Sequence, residues 1–172
     1  MIFFDLVNLS FCLLITSVLM MTRAVKPWVG FTLIISFFAP LLLNGVLIPD
    51  GYMPDQYNYT SYVRSIRHLE FIYFYSAALN VEISSWILAF IPMPFIESIK
   101  SLGFSNRLLF VFLFVWLYRK QFMPRHLLLF LLFYPSLIIY TSLALREAMI
   151  MVFMIVGVVF YIEKKYFYSI IW

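Results

Sequence analysis

Residues 2–21 read IFFDLVNLSFCLLITSVLMM, and residues 22–26 read TRAVK. The first run is broken only by Asp5 and Asn8, and it matches the ~20 apolar residues that one helical crossing of a bilayer requires. The basic pair that follows, Arg23 and Lys26, marks a cytoplasmic turn under the positive-inside rule. The whole chain repeats this alternation of apolar run and charged punctuation. Of 172 residues, 65% are hydrophobic, 21% aromatic and only 12% charged, too few charges to coat a water-soluble globule of this size. Main-chain amides inside a bilayer need partners within their own segment, and the apolar runs are continuous rather than alternating. The spans are therefore read as helices and not barrel strands. The expected fold is all-α: one polytopic integral membrane domain over 1–172, with about five transmembrane helices plus a re-entrant or interfacial segment.

The net charge of +4 does not point to nucleic acid, because the basic residues sit in short clusters beside apolar runs. Cys12 is the single cysteine, so no intrachain disulfide and no cysteine-based metal site is expected. Leu9-Ser10-Phe11-Cys12 has a bulky residue before the cysteine and nothing basic precedes the run, so neither a lipid-modified cysteine nor a cleaved leader is expected. His68 and His126 fall on opposite sides of the membrane in this reading and form no metal site. No glycine-rich phosphate loop and no nucleophile elbow occurs. No metal and no cofactor is called for.

A second span is read from Trp28 to Ile48, with Pro40, Asn44 and Gly45 predicting a kink toward its end. The loop that follows, 49–84, would then lie on the outer, non-cytoplasmic side, which the resemblance given below makes periplasmic. It opens on Pro49-Asp50-Gly51-Tyr52-Met53-Pro54-Asp55-Gln56-Tyr57-Asn58-Tyr59, a turn-rich stretch leading into a short surface helix from about Asp55 to Leu69. Tyr59, Tyr62, Val63 and Ile66 would line one side of that helix, and Arg64, Arg67 and His68 another. Ser85 to Glu97 is apolar but short and carries Pro92 and Pro94. A re-entrant or interfacial path is preferred here, because a full crossing would place Arg119, Lys120 and Arg125 outside. On that path Leu102–Tyr118 crosses inward, Leu127–Thr141 outward and Ala148–Ile162 inward, ending at Glu163-Lys164-Lys165. Leu127–Ile162 would measure only about 54 Å as continuous helix, slightly less than two hydrocarbon thicknesses. The turn near Thr141–Glu147 is therefore expected to lie recessed toward the lipid. Tyr166–Trp172 reads as the start of another span, so the chain is expected to be the N-terminal part of a larger protein.

Charge at membrane depth costs roughly 2.5–3.5 kcal/mol on insertion scales, which makes Arg146 and Glu147 functional candidates. The bland alternative is that Arg146 snorkels to a headgroup or pairs with a nearby carboxylate. A guanidinium suits phosphate, since its planar fork presents two parallel donors. Asp55 with Tyr57, Tyr59 and Tyr62 makes a second constellation, readable as a helix cap beside an interfacial aromatic belt or as a sugar-binding surface. Arg64, Arg67 and His68 could meet either anionic headgroups or a second phosphate. Arg107 is read as an anchor at the outer interface.

Two of these segments, Gly51-Tyr52-Met53-Pro54-Asp55-Gln56-Tyr57-Asn58-Tyr59 and Ser142-Leu143-Ala144-Leu145-Arg146-Glu147, resemble the EpsG and Wzy-type polymerases of bacterial capsule and O-antigen synthesis. Members of that family place an Asp-x-x-x-Tyr-like motif in an early periplasmic loop and a Ser-Leu-x-x-Arg-like motif before a hydrophobic helix. Asp55 with Tyr59, and Ser142 with Arg146, match. The resemblance implies glycosyl transfer at the periplasmic face of the bacterial inner membrane, joining repeat units of an undecaprenyl-pyrophosphate-linked oligosaccharide. It further implies membrane lipids as neighbours and contacts with a flippase and a chain-length regulator as partners. In that scheme Arg146 stabilises the departing pyrophosphate, and Asp55, or Glu147, takes the acceptor proton. Tyr57, Tyr59, Tyr62, Arg64, Arg67 and Ser142 would bind substrate. The resemblance also implies a His-containing segment shortly after the Arg helix, which the chain ends too early to show; if the chain is complete as given, it is expected to lack part of the active site. An O-antigen ligase and a polysaccharide transporter or flippase component are the alternatives. Spans nearly free of interior charge argue against transport through the middle.

Overall fold

The first apolar run forms α1 (Ile2–Met21), as its length and composition require. The computed structural model describes residues 2–49, 52–69, 79–122 and 124–163. Expectations resting on Asp50, Gly51, Lys164, Lys165, Tyr166–Trp172 and the middle of the 49–84 loop lie outside the described residues. Within them every regular element is helical. After α1 come α2 (Pro27–Ser36), α3 (Ala39–Leu43), α4 (Asp55–Arg67), α5 (Leu79–Ala89), α6 (Ile99–Lys120), α7 (Arg125–Phe133), α8 (Pro135–Ser142) and α9 (Glu147–Ile162).

Among the described residues only α1 and α6 are long and apolar enough to cross a membrane; the broken pair α8–α9, bent by 117°, makes a third if it counts as one span. That is fewer than the five expected, and the shortfall has local causes. Pro40 lacks the N–H that would bond the Ser36 carbonyl, so the second run splits at Phe37–Phe38 into α2 and α3. Asn44 then turns extended, and Gly45, at φ 80°, reverses the chain. Pro135 splits the fourth run, because the residue before a proline is pushed out of the helical region: Tyr134 sits at φ −62°, ψ 123°. Ser85–Glu97 forms no crossing helix. The 11-residue α5 spans about 16 Å, and after Ala89 the backbone is irregular as far as Ser98.

At the centre stands α6, whose apolar window is 78% buried against 28% for α1; it packs against α1, α3, α4, α7, α8 and α9. Ser98 caps it, its Oγ accepting from Ser101 N at 3.0 Å. The same two serines donate to the buried Asp5 carboxylate, at 2.6 Å from Ser98 and 2.9 Å from Ser101, which ties the start of α1 to the start of α6. Asn8 holds Phe95 through both its main-chain N–H and its carbonyl, at 3.1 and 2.7 Å. At the far ends of α6 and α9, Lys120 pairs with Glu163, so these two helices run parallel. Large apolar side chains such as Leu14, Phe31, Ile35, Phe130, Met154 and Val158 cover much of the exterior, as a bilayer environment permits.

Candidate functional site

The turn between α8 and α9 is buried irregular backbone: Ser142, Leu143 and Ala144 are fully enclosed. Such backbone is tolerated only where neighbours supply its hydrogen bonds, and here three amide side chains from distant elements do so. Asn106 of α6 donates to the carbonyls of both Leu143 and Leu145, at 2.6 and 2.7 Å. Asn44, at the end of α3, donates to the carbonyl of Ser142 at 2.9 Å. Gln56, in the first turn of α4, accepts from Ala144 N at 3.0 Å. Gly103 backs the turn so closely that a Cβ there would stand 2.3 Å from the Ser142 oxygen. Asn106 lies seven residues into α6, so the turn is recessed about 10 Å below that helix's start.

The Gln56 contact brings together the two segments that sequence reading singled out. Around Tyr59, which is 5% exposed, gather the charges of Arg146, Glu147 and Asp55. Burial raises the phenol's pKa above its ordinary range; Arg146 opposes the shift, and Glu147 and Asp55 add to it. The phenol therefore stays protonated at neutral pH and can donate. Its contribution to stability is intact below the unfolded pKa of about 10 and is lost as pH rises above that value. Tyr59→Phe is expected to remove this component, flattening the alkaline fall in melting temperature above about pH 10; an identical fall in the variant would refute the assignment.

Arg146 opens α9 about one-third exposed, with Nε 3.9 Å from Glu147 Oε1. That distance is at the outer limit of an ion pair, and the terminal Nη atoms bond to nothing among the described residues. Asp55, on the exposed side of α4, is likewise unpaired among them. Tyr57 is half-exposed, and Tyr62 is half-buried on the same helix.

Three other expected substrate contacts are placed differently. Arg67 donates from Nε to the Ala89 carbonyl at 3.1 Å, and from its Nη atoms to the carbonyls of Met93 and Ile91. Its fork secures the irregular segment after α5, because those carbonyls have no helical partners. Ser142 is wholly enclosed and shapes the turn instead of facing a ligand. Arg64 is accessible but paired, with Nε 3.0 Å from Glu97 Oε2. His68 Nε2 lies 2.9 Å from the other oxygen of the same carboxylate.

Arg107 departs furthest from expectation. It is 0% exposed, inside the packing and not at an interface, donating to Thr141 Oγ1 at 2.6 Å and the Leu132 carbonyl at 3.0 Å. Its carbon Cζ lies 5.3 Å from the centre of the Phe110 ring. No carboxylate pairs with it among the described residues. Enclosed on all sides, it joins α6 to α7 and α8 and does not line a pathway. Sequence reading missed Asn44, Gln56, Asn106 and Glu97 as site builders. For Asn44 and Asn106 the available signal was an amide in an otherwise apolar run, where polar groups are rare unless they serve another chain segment; Gln56 in the polar α4 and Glu97 carried no such signal.

No protein-family model, no curated protein and no solved structure matches this chain.

Proposed function

We propose that this chain is an EpsG or Wzy-type polysaccharide polymerase with about five transmembrane helices. On this reading it joins undecaprenyl-pyrophosphate-linked repeat units at the periplasmic face of the bacterial inner membrane. The observation that supports this most directly is the meeting of Asp55 and Tyr59 with Arg146 and Glu147 around one recessed turn. A partly exposed guanidinium with unbonded Nη atoms suits a departing pyrophosphate, whose negative charge grows as the sugar bond breaks. Asp55 stands ready to take the acceptor hydroxyl's proton, with Glu147 as the alternative. Tyr59 donates to sugar or phosphate oxygen, and Tyr57 offers an exposed ring face. The chain's apolar exterior supports a position of this polar cluster beside lipid, where a polyprenyl carrier would reside. Flippase and chain-length regulator contacts belong to the same reading.

Deleting the encoding gene in its host is the direct test. The expected result is loss of the polysaccharide ladder, with single repeat units accumulating on the lipid carrier. A ladder of unchanged length and amount would overturn the proposal, and loss of polymer from the outer surface with polymer retained on carrier lipid would indicate ligation instead.

A further inference from the structure

A cavity of about 260 Å³ opens on the opposite flank of α4 from Arg146, against the first turn of α6. Its lining joins Tyr57, Ser61 and Arg64, which recur on one face of α4, to Glu97, Ser98 and Lys100. We propose that this cavity is a saccharide subsite for a sugar ring carrying one anionic substituent, a carboxylate or a phosphate. The proposal rests on the glycan reading above for the class of ligand, and the test below separates the two.

Each requirement of such a ligand has a counterpart in the lining. The half-exposed Tyr57 ring supplies a flat apolar surface for the C–H face of a sugar. The exposed Ser61 hydroxyl can both donate and accept, as sugar hydroxyls demand, whereas those of Thr60 and Ser98 already donate to the Gln56 carbonyl and to Asp5. The Glu97 carboxylate is held at both oxygens by Arg64 and His68, so it is oriented in advance while keeping lone pairs for further hydroxyl donors. Arg64 and Lys100 against Glu97 leave one positive charge in excess. Lys100 has no bonded partner among the described residues, so its ammonium is the group left to meet an anionic substituent. The cavity volume falls just below the ~300–1,000 Å³ of sites for drug-sized ligands, which fits a sugar unit and not a long oligosaccharide.

The test uses the full chain in nanodiscs of zwitterionic phosphatidylcholine, with glucuronate and glucose as probes and saturation-transfer NMR as the readout. Glucuronate is expected to bind saturably and glucose roughly tenfold more weakly, since a charge-assisted contact is lost. Lys100→Met should erase that preference while leaving glucose binding and melting temperature unchanged, and Lys100→Arg should restore it. Arg146→Ala should leave glucuronate binding intact, so failure of the polymerase reading does not imply failure of this one. Equal binding of the two sugars, or an undiminished preference in Lys100→Met, would overturn the subsite. So would saturable occupancy by phosphatidylglycerol with no glucuronate bound in pure phosphatidylcholine, which would mark a headgroup site.

Discussion

Arg146→Ala, introduced into this protein in its host, is expected on the proposed reading to lower polymer formation by about 10²–10³-fold, the usual effect of removing one preorganised donor from developing negative charge. The size of the effect follows from where the guanidinium stands. Of the arginines expected to meet substrate, Arg67 is committed to three main-chain carbonyls and Arg64 to Glu97. Arg107 is sealed inside the helices. Arg146 keeps its Nη atoms unbonded among the described residues, beside a protonated Tyr59, in a recess where a lowered dielectric strengthens each electrostatic contact. The glycan ladder should collapse to single repeat units on carrier lipid at an unchanged protein level by immunoblot. A full-length ladder would remove Arg146 from the chemistry. Arg146→Lys should recover only part of the activity, since an ammonium keeps the charge but not the bidentate fork.

Asn106→Leu is expected to destabilise the protein by about 2–4 kcal/mol, because two carbonyls of a buried turn lose their donor together. Leucine keeps asparagine's branched outline and is the better helix former, so neither a cavity nor a propensity penalty enters, and the bulk of its two methyl groups adds to the loss. Single hydrogen bonds within membrane proteins average only ~0.6 kcal/mol in double-mutant cycles, because alternative partners are found. At this turn Leu143 and Leu145 are enclosed, and Asn44 and Gln56 are already bonded to its neighbours, so few replacements are at hand. The loss should appear as a lower midpoint in thermal unfolding of the purified protein in detergent. Since the turn carries Arg146 into α9, polymer formation should fall with it. An unchanged midpoint would show that water, not Asn106, satisfies these carbonyls.

The distribution of polar residues separates what could be read locally from what could not. By itself the sequence determined α1 to its boundaries, the surface helix beginning at Asp55, the disturbance at Pro40, and the recess of the turn before Arg146. All of these depend on run length, proline geometry or hydrophobic period, which act over a few residues. The tertiary structure alone decided that Gln56 reaches Ala144 across 88 positions, that Asn44 and Asn106 complete the same turn, that Arg107 faces inward, and that Glu97 closes a cavity with Arg64. The break of the fourth apolar run at Pro135 was local as well, since a proline displaces the residue before it, although the sequence expectation takes that run as continuous. The physical reason is that an apolar run declares its own solvent, whereas an amide or guanidinium declares only that it needs a partner. Which carbonyl or carboxylate answers depends on what the packed helices bring within three ångströms, and no local pattern carries that information.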